Sequence, residues 1–340
     1  MNKVLQIISD IDRPSGIKAY SDNFFKQPKL KKSLSISSFS LTKLKTISDL
    51  RELYRLMNNS QLVYNHELYS LKALLVFFIS IFSKCEMVIV SHGNLIVEKD
   101  TASRRKKKFF LFIVKQCLRF TSAKTQYLND MELNRSQKIT NFSFICPPYC
   151  KINSYGDENE LNTQISTRFR FCYLGANYFN RKGFDRMFSY IKLANESGYN
   201  CSLDLIGVNP TEEIRHHLIE IGLTERVNFI SPIYGRDKIK LLREYDALML
   251  LSRSEGWPVV IQEACQIGLP TLVSRETNVS DFVVENSLGL AWNDKDMTIG
   301  QQLNTLKNMA SERQKIQNGF QLIEGHIGFE KLLDLVQHKV

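Results

Sequence analysis

Short β-branched runs alternate with longer stretches of helical periodicity along nearly all of this 340-residue chain, and few folds accommodate that alternation. Strands separated by helices pair in parallel, because the crossover helix carries the chain back to the edge it left. The pattern therefore predicts parallel sheets in α/β domains. Strands are expected over residues 4–9, 34–41, 61–66, 87–90 and 142–146, with helices over 17–25, 44–57, 68–82, 101–120 and 128–137. A second series opens at 170–175 and continues at 202–206, 227–230, 247–251 and 271–273, with helices between. Single cores stop growing near about 250–300 residues, so a chain of this length implies two domains. Pro147-Pro148 halts regular structure, since neither residue can donate to a ladder, and the polar, unpatterned stretch after it reads as the connection.

The densest concentration of chemistry follows the strand at 247–251. A polar loop, Ser252-Arg253-Ser254-Glu255-Gly256, leads through Trp257 to Pro258 and a helix expected to run to about Ile267. Gly256 allows a tight turn, Pro258 suits the first helical turn with Val259 behind it, and Gly268 is placed as the helix stop. Open α/β sheets bind ligands beyond the carboxyl ends of their strands, where this loop sits. The helix start offers unpaired N–H groups to an anion. Glu255 and Glu263 stand eight residues apart, a spacing that means little outside this context. Taken singly, the Arg181-Lys182-Gly183 turn reads as solvated and His92 as a satisfied core histidine.

The ordered set resembles the retaining glycosyltransferases of family 4. Their E-x7-E signature is similar to Ser254-Glu255-Gly256-Trp257-Pro258 with Glu263-Ala264 and Gly268-Leu269-Pro270. Tyr173-Leu174-Gly175 with Arg181-Lys182-Gly183, Leu203-Asp204-Leu205-Ile206-Gly207 and Val227-Asn228-Phe229-Ile230 resemble the family's second domain. Ser15-Gly16-Ile17, Asn65-His66, Ser91-His92-Gly93 and Pro147-Pro148-Tyr149 are looser matches in the first. The resemblance implies the GT-B fold, two Rossmann-like domains facing each other across a cleft. It suggests an acceptor-side domain over 1–148, a linker over 149–167 and a nucleotide-sugar domain over 168–326, with a helix at about 327–340 packing back onto the first domain.

It further implies that Glu263 holds the ribose hydroxyls and Glu255 the donor sugar. Lys182, with Arg181, would neutralise the departing diphosphate, and His92 would meet the donor sugar or its phosphate. Gly16 would allow close approach to the diphosphate, and Gly256, Trp257, Pro258 and Val259 would complete the donor pocket. Many family members carry an arginine after the glycine of the opening strand, where this chain has Ala176. The implied reaction moves a hexose from a nucleotide-diphosphate sugar, a UDP-sugar by preference, to a hydroxyl of a glycan acceptor, with retention and without metal or cofactor. A nucleotide-sugar epimerase, a phosphorylase and a catalytically silent GT-B scaffold are the alternatives.

Charge points to an anionic partner. Lys and Arg number 45 against 35 Asp and Glu, a net +10. No helix-turn-helix, RNA-binding strand or zinc pattern accompanies it, which argues against nucleic acid. Arg104-Arg105-Lys106-Lys107-Lys108 followed by Phe109-Phe110-Leu111-Phe112 reads either as a helix for an anionic membrane surface or as a solvated helix start with a core-facing half. A lipid-linked acceptor in bacterial lipopolysaccharide or capsule assembly, at the inner face of the plasma membrane, fits that charge. The apolar run over 68–82 contains a lysine and is shorter than the ~20 residues a span needs, so a buried core helix is expected, with an interfacial role as the alternative. The first residues have no long apolar core or cleavage site, so no signal peptide is expected. Seven scattered cysteines read as reduced thiols in a cytoplasmic protein, and Cys146 and Cys150 lack the second ligand pair of a zinc site.

Overall fold

The computed structural model describes residues 2–12, 16–24, 34–97, 104–146, 168–292 and 297–324. The chain divides into two compact units near residue 150. The proposed linker over 149–167 and the helix at about 327–340 lie outside the described residues.

The first unit contains β1 (Asn2–Ile8), α1 (Gly16–Phe24), β2 (Leu34–Ser40), α2 (Ile47–Asn58), β3 (Leu62–Asn65) and α3 (Leu71–Phe82). It continues with β4 (Glu86–Val90), α4 (Arg104–Leu118), β5 (Lys124–Tyr127), α5 (Asp130–Arg135) and β6 (Phe142–Ile145). Its six strands are all parallel, in the order β2-β1-β3-β4-β5-β6. Leu5, Ile7, Val63, Met87 and Ile89 project into a core shared with Leu53, Met57, Val76, Phe77, Leu111 and Val114 of the helices.

Three local features depart from the sequence expectation. The helix expected from Leu44 begins at Ile47, because Thr46 and Asp49 form a reciprocal capping box and Leu41–Lys43 is a separate 3-10 turn. Strand β5 was not expected at all. Its Lys-Thr-Gln-Tyr sequence lacks apolar alternation, yet Thr125 and Gln126 are buried. Their donors are paired there: Gln126 Nε2 donates to the Tyr20 hydroxyl at 2.9 Å and the Cys146 carbonyl at 2.7 Å, and Thr125 Oγ1 lies 2.7 Å from Thr140 Oγ1, while Gln126 Oε1 has no partner among the described residues. Helix α3 is not a buried core helix. Ala73, Val76, Phe77 and Ser80 face the core, whereas Leu71, Leu75, Phe78 and Phe82 face solvent. Among the described residues no helix is long and apolar enough to cross a membrane.

The second unit contains β7 (Phe169–Leu174), α6 (Phe179–Lys182), α7 (Phe184–Glu196), β8 (Cys201–Ile206), α8 (Glu212–Glu220), β9 (Val227–Ile230) and α9 (Gly235–Arg243). After these come β10 (Ala247–Leu250), α10 (Val259–Gln266), β11 (Thr271–Val273), α11 (Ser280–Glu285), β12 (Gly289–Ala291), α12 (Ile299–Ser311) and α13 (Arg313–Glu324). The strands run parallel in the order β12-β11-β10-β7-β8-β9. The first and fourth strands are thus adjacent, and the chain winds outward from them in both directions. This is the Rossmann order, whose binding crevice opens between those two strands at their carboxyl ends. Strand β12 was also unexpected. It is a three-residue edge strand whose Gly289 lies so close to Thr271 that a Cβ would sit 2.0 Å from that residue's carbonyl oxygen.

Candidate functional site

The carboxyl ends of β7 and β10 each continue into a loop carrying predicted site residues, and backbone geometry locks the two loops together. After β7, the short helix α6 ends at Lys182. Gly183 then adopts φ +68°, closing α6 and opening α7 in a single residue. A Cβ at Gly183 would stand 2.1 Å from the Leu251 carbonyl oxygen at the end of β10, so only glycine lets the two chains approach this closely. Gly183→Ala is expected to destabilise the protein by more than the ~1–3 kcal/mol that a left-handed backbone costs a non-glycine residue, because the steric overlap adds to it. Chemical denaturation measures this, and a midpoint like that of the wild type would contradict the packing described.

Arg253 supplies the second lock. Its N–H donates to the Arg181 carbonyl at 2.8 Å, and its guanidinium reaches the Asn180 carbonyl at 2.7 Å and both Asp185 oxygens at 2.7 and 2.6 Å. The fork geometry of arginine permits that bidentate grip, which holds the Asp185 carboxyl below the usual carboxylate range.

Within this frame Lys182 Nζ donates to Glu255 Oε1 at 2.5 Å, and Ser252 Oγ donates to the same oxygen at 2.7 Å. Both charged side chains are 13% exposed. Asn278 Nδ2 donates to the Glu255 carbonyl at 2.5 Å, and Asn278 itself takes φ +59°, which asparagine tolerates. Glu263, one turn into α10, is 14% exposed and accepts from Lys238 Nζ of α9 at 2.6 Å. Each predicted glutamate therefore has a lysine against it.

The remaining predicted residues occupy distinct places. Arg181 is exposed, with its guanidinium 4.6 Å from the Tyr178 ring centre. Trp257 packs on Phe282 with ring centres 5.3 Å apart, which props the loop. Pro258 is buried and precedes the helix as its N-cap rather than lying in the first turn, which starts at Val259; its ψ of 109° is extended. A proline side chain cannot cap, so α10 begins without a side-chain partner for its first N–H groups. Gly256 lies in the loop between them, half-buried.

The sequence reading missed Lys238, Ser252, Asn278, and the Arg253–Asp185 and Arg186–Glu276 pairs, the last at 2.8 Å. The Arg186 guanidinium also sits 5.0 Å from the Trp292 ring centre. Asn278 had one legible signal, an asparagine where a turn needs a left-handed residue. Lys238 had none, being 25 residues from its partner.

Gly16 and His92 belong to the first unit. Gly16 opens α1. His92 follows β4 with φ +45°, uncommon for a residue with a side chain. It is half-buried, and its Nε2 lies 3.1 Å from Nδ1 of the buried His66, with the Tyr20 ring edge-on at 5.0 Å. The buried Glu132 carboxylate accepts from the Gly93 and Leu128 N–H groups and so fixes the turn that carries His92. Burial lowers the His92 imidazole to about 4, and burial together with His92 lowers His66 well below its ordinary value.

An unfolded histidine titrates near 6.5, so between about pH 6.5 and about 4 the unfolded chain binds a proton that folded His92 refuses. Stability should therefore fall as pH drops through that window. His92→Asn should flatten this dependence, as read from denaturation midpoints across pH. Comparison with the wild type separates the imidazole from Glu132, whose carboxyl burial raises. An unchanged slope would contradict a neutral His66–His92 pair. Among the described residues no cluster of His, Cys, Asp or Glu has the grouping of a metal site.

Residues 159–320 match the protein family described as glycosyl transferases group 1. Protein CapJ of Staphylococcus aureus is 26% identical over 123 residues, which span 36% of this chain and 32% of that protein, about a third of its length. Among solved structures, sucrose-phosphate synthase from Thermosynechococcus elongatus superposes with a TM-score of 0.71 at 12% identity, covering 99% of this chain and 98% of that one. Anabaena Alr3699/HepE, solved in complex with UDP, gives 0.69 at 14% identity and 96% coverage of both chains. WaaG, a glycosyltransferase involved in lipopolysaccharide biosynthesis, gives 0.64 at 16% identity, covering 98% of this chain and 99% of that one. At such identities the likeness is one of fold. The chain has the two-domain α/β fold of the GT-B glycosyltransferases.

Proposed function

We infer that this chain transfers a sugar from a nucleotide-diphosphate sugar to a hydroxyl of a glycan acceptor. The observation that carries this reading is the pairing of Lys182 with Glu255 where the loops after β7 and β10 meet, inside the span that matches the group 1 glycosyl transferases. That crevice is where a Rossmann sheet receives a dinucleotide-like ligand. The donor's diphosphate takes Lys182 from Glu255, with Arg181 and the N–H groups at the start of α10 meeting the remaining charge. Glu255, released, turns to the hydroxyls of the sugar. Glu263 keeps one oxygen on Lys238 and offers the other to the ribose diol. The bond between the anomeric carbon and the diphosphate oxygen breaks, the acceptor oxygen bonds to that carbon, and the acceptor proton leaves with the diphosphate.

We read the transfer as retaining, on the resemblance to family 4, with a UDP-sugar as donor and no metal or cofactor required. The UDP complex of Anabaena Alr3699/HepE supports UDP by analogy of fold. The resemblance to family 4 also assigns donor contacts to His92 and Gly16. The basic run Arg104-Arg105-Lys106-Lys107-Lys108 supports a lipid-linked acceptor at an anionic membrane surface on the cytoplasmic side, and the fold shared with WaaG supports a role in polysaccharide assembly by analogy.

Incubation with a panel of labelled nucleotide sugars, with and without lipid-linked acceptors and in the presence of EDTA, tests this reading. Transfer or slow donor hydrolysis that persists in EDTA is expected. Isomerised donor would make the chain an epimerase, and silence across the panel a scaffold.

A further inference from the structure

Helices α3 and α4 lie on one face of the first sheet. The connections β3–α3–β4 and β4–α4–β5 both step in the same direction along the strand order, and right-handed crossovers place both helices on the same side. The helices pack on each other, with Tyr69, just before α3, 5.2 Å from Phe110 of α4 between ring centres. Each turns one face to the sheet, through Ala73, Val76 and Phe77 on α3 and Leu111, Val114 and Leu118 on α4. The opposite faces of both therefore look out to the same side.

What they present there is unusual for a surface facing water. On α3, Leu71, Leu75, Phe78 and Phe82 follow the i, i+4, i+7, i+11 spacing of a single stripe, and Phe78 and Phe82 touch at 5.4 Å between ring centres. On α4, Phe109 and Phe112 are 66% and 58% exposed. Exposed cations alternate with these phenylalanines: Arg105, Lys108 and Lys115 share the outward face of α4. No Asp or Glu occurs between residues 68 and 85 or between 101 and 129. Large contiguous apolar patches on a soluble surface mark an interaction site. A protein partner would need its own apolar patch ringed by carboxylates, whereas an anionic bilayer offers acyl chains and phosphates in the layered order these side chains match.

We propose that α3 and α4 together form a bilayer-docking surface, in which the Leu71-Leu75-Phe78-Phe82 stripe enters the acyl boundary and the α4 cations hold anionic lipid headgroups. This deepens the membrane reading given above. It adds an inserting element on a helix outside the basic run and makes attachment depend on both helices. Attraction to charge alone would need neither Phe78 nor Phe82.

The full-length chain is mixed with vesicles of phosphatidylglycerol and phosphatidylethanolamine, and separately with phosphatidylcholine vesicles, and bound protein is sedimented. Binding to the anionic vesicles at least 10-fold tighter than to phosphatidylcholine is expected. Both Phe78→Ser with Phe82→Ser and Arg105→Gln with Lys108→Gln should lose at least 10-fold in affinity for the anionic vesicles. A Phe78→Trp reporter should shift its emission to shorter wavelength on binding and be quenched by brominated acyl chains. Binding without that shift, or a double-serine variant that binds like the wild type, would overturn insertion. A chain that ignores both kinds of vesicle would overturn the whole surface. So would a dimer in vesicle-free solution that the double-serine variant abolishes, because the stripe would then serve a second copy. UDP binding in vesicle-free solution, expected to be equal in all these variants, checks their folding. It also separates the outcomes: loss of UDP binding by the wild type with vesicle binding intact removes the transferase reading and leaves the surface standing.

Discussion

Lys182→Met is expected to lower turnover of the nucleotide sugar by about 100- to 1,000-fold, the usual effect of removing one preorganised donor from a site where negative charge develops. In the proposed transfer the lysine acts on the departing diphosphate, whose charge grows as the glycosidic bond breaks, so kcat is expected to fall more than donor affinity. Methionine keeps the unbranched stem of the side chain without its charge, and the Gly183 turn and the Arg253 clamp leave the backbone in place. Glu255 loses its cation in this variant but keeps the Ser252 hydroxyl and remains partly exposed. Measured kcat with a labelled donor, at unchanged denaturation midpoint, is the readout. Turnover within a few-fold of the wild type would remove Lys182 from the reacting centre.

Glu263→Ala is expected to raise the dissociation constant for UDP by about 10- to 100-fold. A hydrogen bond to a charged group contributes about 1.5–3 kcal/mol, and every ~1.4 kcal/mol is tenfold in affinity. The prediction has a chemical signature beyond weakened binding. Wild-type protein should favour UDP over 2′-deoxyuridine diphosphate if, as proposed, the free carboxylate oxygen addresses the ribose diol. Glu263→Ala should erase that preference, because neither ligand then meets an acceptor at that position. Calorimetry with both nucleotides decides it, and a preference that survives the substitution would place the ribose elsewhere.

The parts of this site that were legible in the sequence are those built locally. Glu255 and Glu263 stand on one strand-loop-helix unit, where the residue types forecast the turn and the helix end, while their roles came from the resemblance to family 4. Lys182 was singled out by the resemblance alone, and the structure adds that Gly183 behind it takes a left-handed conformation in close contact with Leu251. Lys238 was invisible because a long side chain on another helix makes the contact, and periodicity records which face a residue lies on, not how far it reaches.

The same limit explains β5. Buried Thr125 and Gln126 look like loop residues until Tyr20, Thr140 and the Cys146 carbonyl are known to pair the Thr125 hydroxyl and the Gln126 amide nitrogen. Helix α3 shows the converse. Its mean composition is so apolar that sequence alone suggests burial all round, whereas only the sheet above one of its faces decides which half is core.

The lysine–glutamate pairs also bear on selection in a crowded solution. A pocket with two bare lysines would capture inorganic phosphate, sulfate and every passing nucleotide. Here each ammonium already has a carboxylate at 2.5 or 2.6 Å, so an incoming anion must displace a partner before it gains one. A small ion replaces like with like and gains little. A ligand that carries a diphosphate, a ribose and a sugar together gives every displaced carboxylate a hydroxyl to hold, and the exchange then runs downhill. In the proposed transfer, the resting pairs would set a threshold that rewards the complete donor over its fragments.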